Sequence, residues 1–191
     1  MTDTIDLSKS LQTLSKCVVL VGLMGAGKSS VGRRLARDIG MEFVDADREI
    51  EEAAGCSIAD FFRRFGEEEF RRGEQRVIKR LLSEEPRILA TGGGAFMSEE
   101  TRLAIAERGI SVWLRADLDT LFDRVSRRTG RPLLQTENPR GTLQGLMDVR
   151  YPVYASADLV VESDNGPIDI TVDRVEEVLL EFLAADTLQT P

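Results

Sequence analysis

A glycine-rich segment, Gly22-Leu-Met-Gly-Ala-Gly-Lys28-Ser29, has the residue types and spacing of a phosphate-binding loop. It matches GxxxxGK(S/T), follows an apolar run and precedes a helical pattern, which is the context that such a loop requires. Glycines let backbone N–H groups approach phosphate oxygens at the positive amino end of a helix. In this type of loop Lys28 reaches the β- and γ-phosphates, and the Ser29 hydroxyl ligates Mg²⁺. The segment therefore predicts that the chain binds a nucleoside triphosphate together with magnesium.

Two carboxylates stand at the end of a second apolar run, in Phe43-Val-Asp45-Ala-Asp47. Ligands bind at the carboxyl ends of the strands in open α/β sheets, so both acids are expected beside the phosphate loop. Alternation along a strand would place Asp45 and Asp47 on the same side. One carboxylate can hold magnesium through water, and the other can accept a proton from an acceptor hydroxyl or only orient it. The pair indicates a kinase whose acceptor is an alcohol.

Three glycines and a set of arginines could form the acceptor site. Gly92, Gly93 and Gly94 follow the third apolar run, where small residues would let a ligand touch the main chain. Arg71 and Arg72 lie in a charged helical segment, and Arg150 lies near the end of a later helix. If Arg150 and one arginine of the earlier pair face the glycines, together they can clamp a carboxylate.

Composition excludes several other kinds of chemistry. The 191 residues contain no histidine, which rules out histidine-based triads and most zinc sites. The two cysteines, Cys17 and Cys56, form no CxxC motif and cannot build a disulfide framework. A net charge of −8 argues against nucleic-acid binding. The apolar run 17–21 is too short to span a membrane, and residues 1–16 lack the apolar run of a secretory signal. We therefore expect a cytoplasmic protein that binds neither a membrane nor a nucleic acid.

Short apolar runs alternate with helical patterns along the chain, which is typical of an α/β fold with a parallel sheet. Strands are predicted at 17–22, 41–45, 87–91, 110–115 and 158–162. Helices are predicted at 28–39, 47–54, 57–65, 67–83, 98–108, 117–128, 141–155 and 168–185.

Two segments fall outside the alternating pattern. Residues 1–16 are polar and without period, so we expect a disordered extension before a single domain at 17–185 and a tail at 186–191. Residues 128–140 hold two prolines and a glycine without period, which is typical of a mobile loop that closes an active site.

These motifs together resemble those of the shikimate kinases, over about residues 17–183. The order and spacing of the following runs carry the resemblance: GLMGAGKSSVGRRLA, FVDADREIE, SIADFF, GEEEFRRGE, TGGGA, RPLL and RYPVYASAD. The resemblance implies the nucleoside monophosphate kinase-like P-loop fold, with three layers, a mobile lid and five parallel strands in the order 2-3-1-4-5. It also implies ATP-dependent phosphorylation of the 3-hydroxyl of shikimate, on the pathway to chorismate and aromatic amino acids.

The resemblance also assigns roles to individual residues. For ATP it implies contacts from Gly25, Ala26, Gly27, Lys28, Ser29, Ser30, Arg131 and Pro167. For shikimate it implies contacts from Asp47, Arg71, Gly93, Gly94 and Arg150. It implies that Lys28, Asp47 and Arg131 are catalytic, and that Ser29 and, through water, Asp45 hold magnesium. The resemblance also implies an arginine that stacks on adenine, and the spacing fits either Arg127 or Arg128.

Other classes of protein remain as alternatives at this stage. A gluconate kinase or a nucleoside monophosphate kinase would share the phosphate loop, but a gluconate kinase would lack the glycine run with paired arginines. A silent nucleotide-binding regulator would be expected to have lost Lys28, Asp47 or Arg131, and all three are present. We expect a monomer whose partners are ATP and shikimate.

Overall fold

The core of the protein is a parallel sheet of five strands in the order β2-β3-β1-β4-β5. The computed structural model describes residues 6–127 and 136–187, with side chains as far as residue 185. The strands are β1 Cys17–Val21, β2 Phe43–Asp45, β3 Ile88–Ala90, β4 Gly109–Arg115 and β5 Leu159–Glu162. Every residue of β1 is buried, as expected for the central strand of a sheet covered on both faces. The predicted α/β fold and its strand order are confirmed.

Helices pack against this sheet and against one another. They are α1 Leu7–Thr13, α2 Lys28–Ile39, α3 Ala46–Ala54, α4 Ile58–Leu82, α5 Glu99–Arg108, α6 Leu118–Ser126, α7 Pro139–Tyr154 and α8 Ile168–Thr187. Helix α2 packs on α8, and α8 also contacts α1, whereas α4 packs on α3 and α5. Among the described residues, no helix is both long and apolar enough to cross a membrane.

The start of α3 differs from the prediction and changes the placement of one acid. Strand β2 ends at Asp45, whose side chain accepts a hydrogen bond from the N–H of Asp47 and so begins the helix at Ala46. Asp47 therefore lies in the first turn of a helix, and strand alternation is the wrong reason for the two acids to share a side. Their common position comes from the strand-to-helix turn.

Two other boundaries depend on single residues. The predicted helices 57–65 and 67–83 form one element, α4, interrupted at Gly66, where φ is 80° and ψ is 175°. This positive φ favours glycine, so the break follows from the sequence. Helix α7 begins at Pro139, so residues 139 and 140 of the predicted loop are helical. Residues 128–135, the greater part of that predicted lid, lie outside the described residues.

The expectation of a disordered segment before residue 17 is wrong for residues 7–13. They form α1, which is capped at its start by the Asp6 carboxylate. Leu7 and Leu11 are four residues apart, so they share one helix face, and both are buried in the main hydrophobic core. Lys16 Nζ then donates to the last carbonyls of α5, those of Ala106 and Glu107, at 3.2 and 2.8 Å. Helix α1 therefore packs as part of the domain.

We expect Leu11→Ala to lower the free energy of unfolding by about 2–5 kcal/mol, the usual result of truncating a fully buried leucine. Leu11 is 0% exposed, whereas Leu14, just after α1, is 45% exposed and provides the matched control Leu14→Ala. Urea unfolding of both variants measures the difference. Equal stability of the two variants would show that α1 does not contribute to the core.

Candidate active site

The phosphate loop connects β1 to α2, and glycines determine its shape. Gly22, Gly25 and Gly27 have φ values of 138°, 85° and 95°, which side-chain-bearing residues rarely adopt. Gly27 is the residue before α2, so the loop ends on the amino terminus of that helix. Lys28 Nζ donates to the carbonyls of Gly22 and Leu23 at 2.7 and 3.0 Å, which places the ammonium group against the loop. The loop thus combines a helix terminus with a fixed cation, the arrangement that binds phosphates.

The first residues of α2 contact the acids at the end of β2. Ser29 Oγ donates to Asp45 Oδ2 at 2.7 Å, and Asp45 Oδ1 accepts from the N–H of Asp47 at 3.2 Å. A hydroxyl and a carboxylate are hard oxygen ligands of the kind that Mg²⁺ prefers. The described residues contain no group of three or more acids, cysteines or histidines that could enclose a metal. Ser29 and Asp45 thus offer oxygen ligands of the kind that suit Mg²⁺.

Asp47 is half-buried, and its surroundings change the pKa of its carboxyl. Burial, followed by the negative charge of Asp45, raises the pKa of the Asp47 carboxyl, while the positive charges of Lys28 and Arg71 act in the opposite direction. A carboxylate with a raised pKa is a stronger base than an ordinary aspartate. Asp47 is thus suited to accept a proton.

The glycine run packs against the functional side chains, a reason for its composition that the sequence did not reveal. A Cβ atom at Gly92 would lie 2.6 Å from Asp47 Oδ1, and one at Gly94 would lie 2.5 Å from Arg71 Nη2. Any side chain at these two positions would displace the carboxylate or the guanidinium. Gly92 and Gly94 therefore allow both groups to approach the end of β3.

Arg71 is held by a buried acid that sequence reasoning missed. Arg71 Nη1 donates to Glu74 Oε2 at 2.6 Å, and Glu74 is only 2% exposed. Burial raises the pKa of the Glu74 carboxyl, and the charge of Arg71 lowers it. The sequence did indicate this pair, because an acid three residues after an arginine lies on the same helix face. Arg72 points elsewhere and pairs with exposed acids of its own helix.

Arg150 approaches the same glycines from α7. Its Nη1 donates to the carbonyl of Gly93 at 2.9 Å, while Arg71 contacts the position of Gly94. Of the two adjacent arginines in α4, Arg71 therefore faces the glycines and Arg72 does not. Two guanidinium groups from α4 and α7 flank one short peptide segment. Such a pair can bind a planar carboxylate.

The phosphate loop lines one cleft of about 540 Å³ together with Asp47 and Gly93, whereas Arg71, Gly94 and Arg150 are not part of its lining. A Cβ at Gly93 would lie 3.5 Å from both the Met24 N–H nitrogen and Arg150 Nη1, so the two halves of the site are in contact. The predicted residues that line the cleft are Gly25, Gly27, Lys28, Ser29, Ser30, Asp45, Asp47, Gly93 and Arg127. Ala26 is a buried residue of the loop itself, and exposed Pro167 stands between two lining residues, Gly166 and Ile168.

Arg124 and Ser163 are further cleft residues that the sequence did not single out. Arg124 Nη1 donates to the carbonyl of Gly25 at 3.1 Å and to Ser163 Oγ at 3.0 Å. Ser163 Oγ in turn donates to the carbonyl of Ala26 at 2.9 Å. These bonds tie the phosphate loop to the end of β5. A solitary arginine and serine carry no motif, so only the fold reveals them.

Of the predicted adenine-stacking pair, Arg127 lines the cleft and forms a 2.9 Å ion pair with Asp123. Arg128 lies outside the described residues. Arg131, the predicted lid arginine, also lies outside them, so the structure does not locate it relative to the phosphate loop.

Comparison with known proteins gives a consistent result. A family model described as shikimate kinase matches residues 24–185. A shikimate kinase of Rhizobium leguminosarum bv. trifolii is 53% identical over 167 residues, covering 87% of this chain and 85% of that protein. One from Paramagnetospirillum magneticum is 54% identical over 170 residues, covering 89% and 87%. The solved shikimate kinase of Acinetobacter baumannii in complex with shikimate superposes with a TM-score of 0.85 at 38% identity, covering 91% of this chain and 97% of that one.

Proposed function

The chain belongs to the shikimate kinase family, and we infer that it transfers the γ-phosphoryl group of ATP to the 3-hydroxyl of shikimate. The observation that carries this inference is the contact between a phosphate loop and a two-arginine site. Gly93 lies against Met24 of the loop on one side and Arg150 on the other. A triphosphate and a small hydroxy acid can therefore be held next to each other.

We propose that the phosphate loop holds the nucleotide. Its backbone N–H groups and Lys28 would neutralise the β- and γ-phosphates, and fixed positive charge at that point stabilises the transition state. Residues 25–30 would contact the phosphates, and Pro167 would lie beside the base. Arg131 is proposed as the lid arginine that reaches the transferred group, a role that rests on the sequence alone.

The acceptor would bind through its carboxylate to Arg71 and Arg150, which leaves its hydroxyl groups near Asp47. Asp47 takes the proton from the attacking hydroxyl as the new O–P bond forms. The bond between the γ-phosphorus and the β–γ bridging oxygen breaks, and ADP leaves with that electron pair. The raised pKa of Asp47 supports this role, because a carboxylate with a raised pKa accepts a proton more readily than an ordinary aspartate.

Magnesium fits the oxygen ligands that Ser29 and Asp45 provide. Ser29 Oγ would hold the ion directly, and Asp45, which lies 2.7 Å from that hydroxyl, would hold it through water. When bound, such an ion supplies positive charge to the phosphate oxygens. We further propose a monomer in the cytoplasm, a location that the use of ATP supports.

A single assay separates the candidate activities. ADP release is measured with shikimate, gluconate and AMP as parallel acceptors, and we expect turnover with shikimate alone. The arginine pair recognises a carboxylate, which AMP lacks, and membership of the shikimate kinase family favours shikimate over gluconate, which also carries a carboxylate. Turnover with gluconate or AMP but not with shikimate would overturn the proposed function.

We expect Arg150→Ala and Arg71→Lys to raise the KM for shikimate and to leave the KM for ATP nearly unchanged. A charge-assisted hydrogen bond contributes about 1.5–3 kcal/mol, so the KM should rise roughly 10- to 150-fold in the alanine variant. Lysine at position 71 retains a charge for buried Glu74 but loses the planar fork, so its effect should be smaller.

Arg72→Ala is the matched control, since Arg72 is adjacent to Arg71 and its ion pairs among the described residues are with exposed acids of α4. Its kinetic constants should equal those of the wild type. If the KM for ATP rises in the Arg150 variant while that for shikimate stays constant, the carboxylate clamp is refuted.

A further inference from the structure

The carbonyl oxygen of Gly93 accepts two hydrogen bonds from the same helix. Arg150 Nη1 donates to it at 2.9 Å, and the hydroxyl of Tyr154 donates to it as well. Tyr154 is the last residue of α7 and is 0% exposed. Its ring packs against Trp113 and Phe96, with centroid distances of 5.9 and 6.3 Å. Packing of the ring in the core therefore holds the hydroxyl in a fixed position.

Fixing this carbonyl also fixes the next N–H group. The peptide bond is planar and trans, so the N–H of Gly94 points away from the carbonyl of Gly93. Glycine has no Cβ to restrict its backbone, and two adjacent glycines could rotate the peptide at little cost. The hydrogen bond from Tyr154 opposes that rotation. It thereby fixes the direction in which the N–H group of Gly94 points.

In the proposed function the second donor, Arg150, must also bind the carboxylate of the acceptor. To bind a carboxylate, its guanidinium must turn at least part of its donor set toward the acceptor. If Arg150 were the only donor, its movement would leave the half-buried carbonyl of Gly93 without a hydrogen bond, which is destabilising. Because Tyr154 keeps the Gly93 carbonyl satisfied, Arg150 can move without that penalty.

Building on the proposed function, we propose that Tyr154 is a positioning residue for the acceptor. Its hydroxyl holds the Gly93–Gly94 peptide in one orientation and allows Arg150 to engage a carboxylate. The hydroxyl itself touches neither the reacting oxygen nor the nucleotide. It acts through Gly93 and Arg150.

The protonation of Tyr154 supports this role. Burial raises its pKa to about 12, although the nearby charge of Arg150 acts in the opposite direction. The hydroxyl therefore remains a donor throughout the pH range in which the enzyme would work. A phenolate at this position could not donate to a carbonyl.

The test compares Tyr154→Phe with Tyr151→Phe, two hydroxyl deletions on the same helix. The hydroxyl of Tyr151 also donates to a backbone carbonyl, that of Ala116, and its ring also contacts Trp113, at 4.9 Å. Losing a neutral hydrogen bond should raise the KM for shikimate about 2- to 13-fold in Tyr154→Phe. The KM for ATP should not change in this variant, and neither constant should change in Tyr151→Phe.

This comparison separates positioning from simple stabilisation. KM does not depend on the fraction of protein that is folded, so a loss of stability alone would leave both constants unchanged. Equal shikimate KM values in the two variants, or a parallel rise for ATP in Tyr154→Phe, would overturn the role of Tyr154. A wild-type protein that does not phosphorylate shikimate would overturn the proposed function itself, which is a different result.

Discussion

Lys28→Met should give a folded protein whose kcat is about 10²- to 10³-fold below that of the wild type, the usual effect of removing one fixed charge from a transition state. Lys28 begins α2, and its ammonium lies against the phosphate loop through the carbonyls of Gly22 and Leu23. Methionine preserves much of the length and apolar stem of the side chain. It removes the charge that would face the phosphate oxygens as the phosphoryl group moves.

Lys79→Met is the matched control for this experiment. Lys79 is exposed in the last turn of α4, and it lies outside the cleft lining. Its replacement deletes the same charge without touching the loop, so kcat should stay at the wild-type value. The measurement is initial-rate kinetics with circular dichroism to verify folding. Activity of Lys28→Met within about threefold of wild type would remove the lysine from phosphoryl transfer.

Local patterns were sufficient to predict the frame of the site. The glycines, lysine and serine of the phosphate loop have a characteristic spacing. Its glycines adopt positive φ angles, which residues with side chains rarely adopt. The β-rich runs between helical patterns predicted all five strands, and the resemblance supplied their order. These features depend on neighbours in the chain, which a sequence displays directly.

Several contacts between distant segments were not predicted. Gly92 and Gly94 are small because Asp47 and Arg71 occupy the space of their Cβ atoms, and no local pattern records that contact. Arg124 reaches the phosphate loop from 99 residues away in sequence. Helix α1 was missed for a related reason, since two leucines in one short turn give too weak a period until the core that buries them is known.

The second large effect is expected at Asp47. Asp47→Asn should lower kcat about 10²- to 10⁴-fold, the range that a general base contributes, while affinity for ADP changes far less. The amide retains the shape of the carboxylate beside Gly92 but cannot accept the proton of the attacking hydroxyl. Glu52→Gln is the control, since Glu52 lies on the same helix and pairs with exposed Arg48.

The pH profile gives an independent test of the same role. Burial and the charge of Asp45 raise the pKa of Asp47 above the ordinary value for an aspartate. The reactive form is the carboxylate, so kcat should fall as the pH drops through this raised pKa, at a higher pH than an unperturbed aspartate would give. The residual activity of Asp47→Asn should lack that acidic limb, whereas Glu52→Gln should retain it. An acidic limb that persists unchanged in Asp47→Asn would assign the titration to another group, and wild-type turnover in this variant would remove Asp47 from the proton transfer.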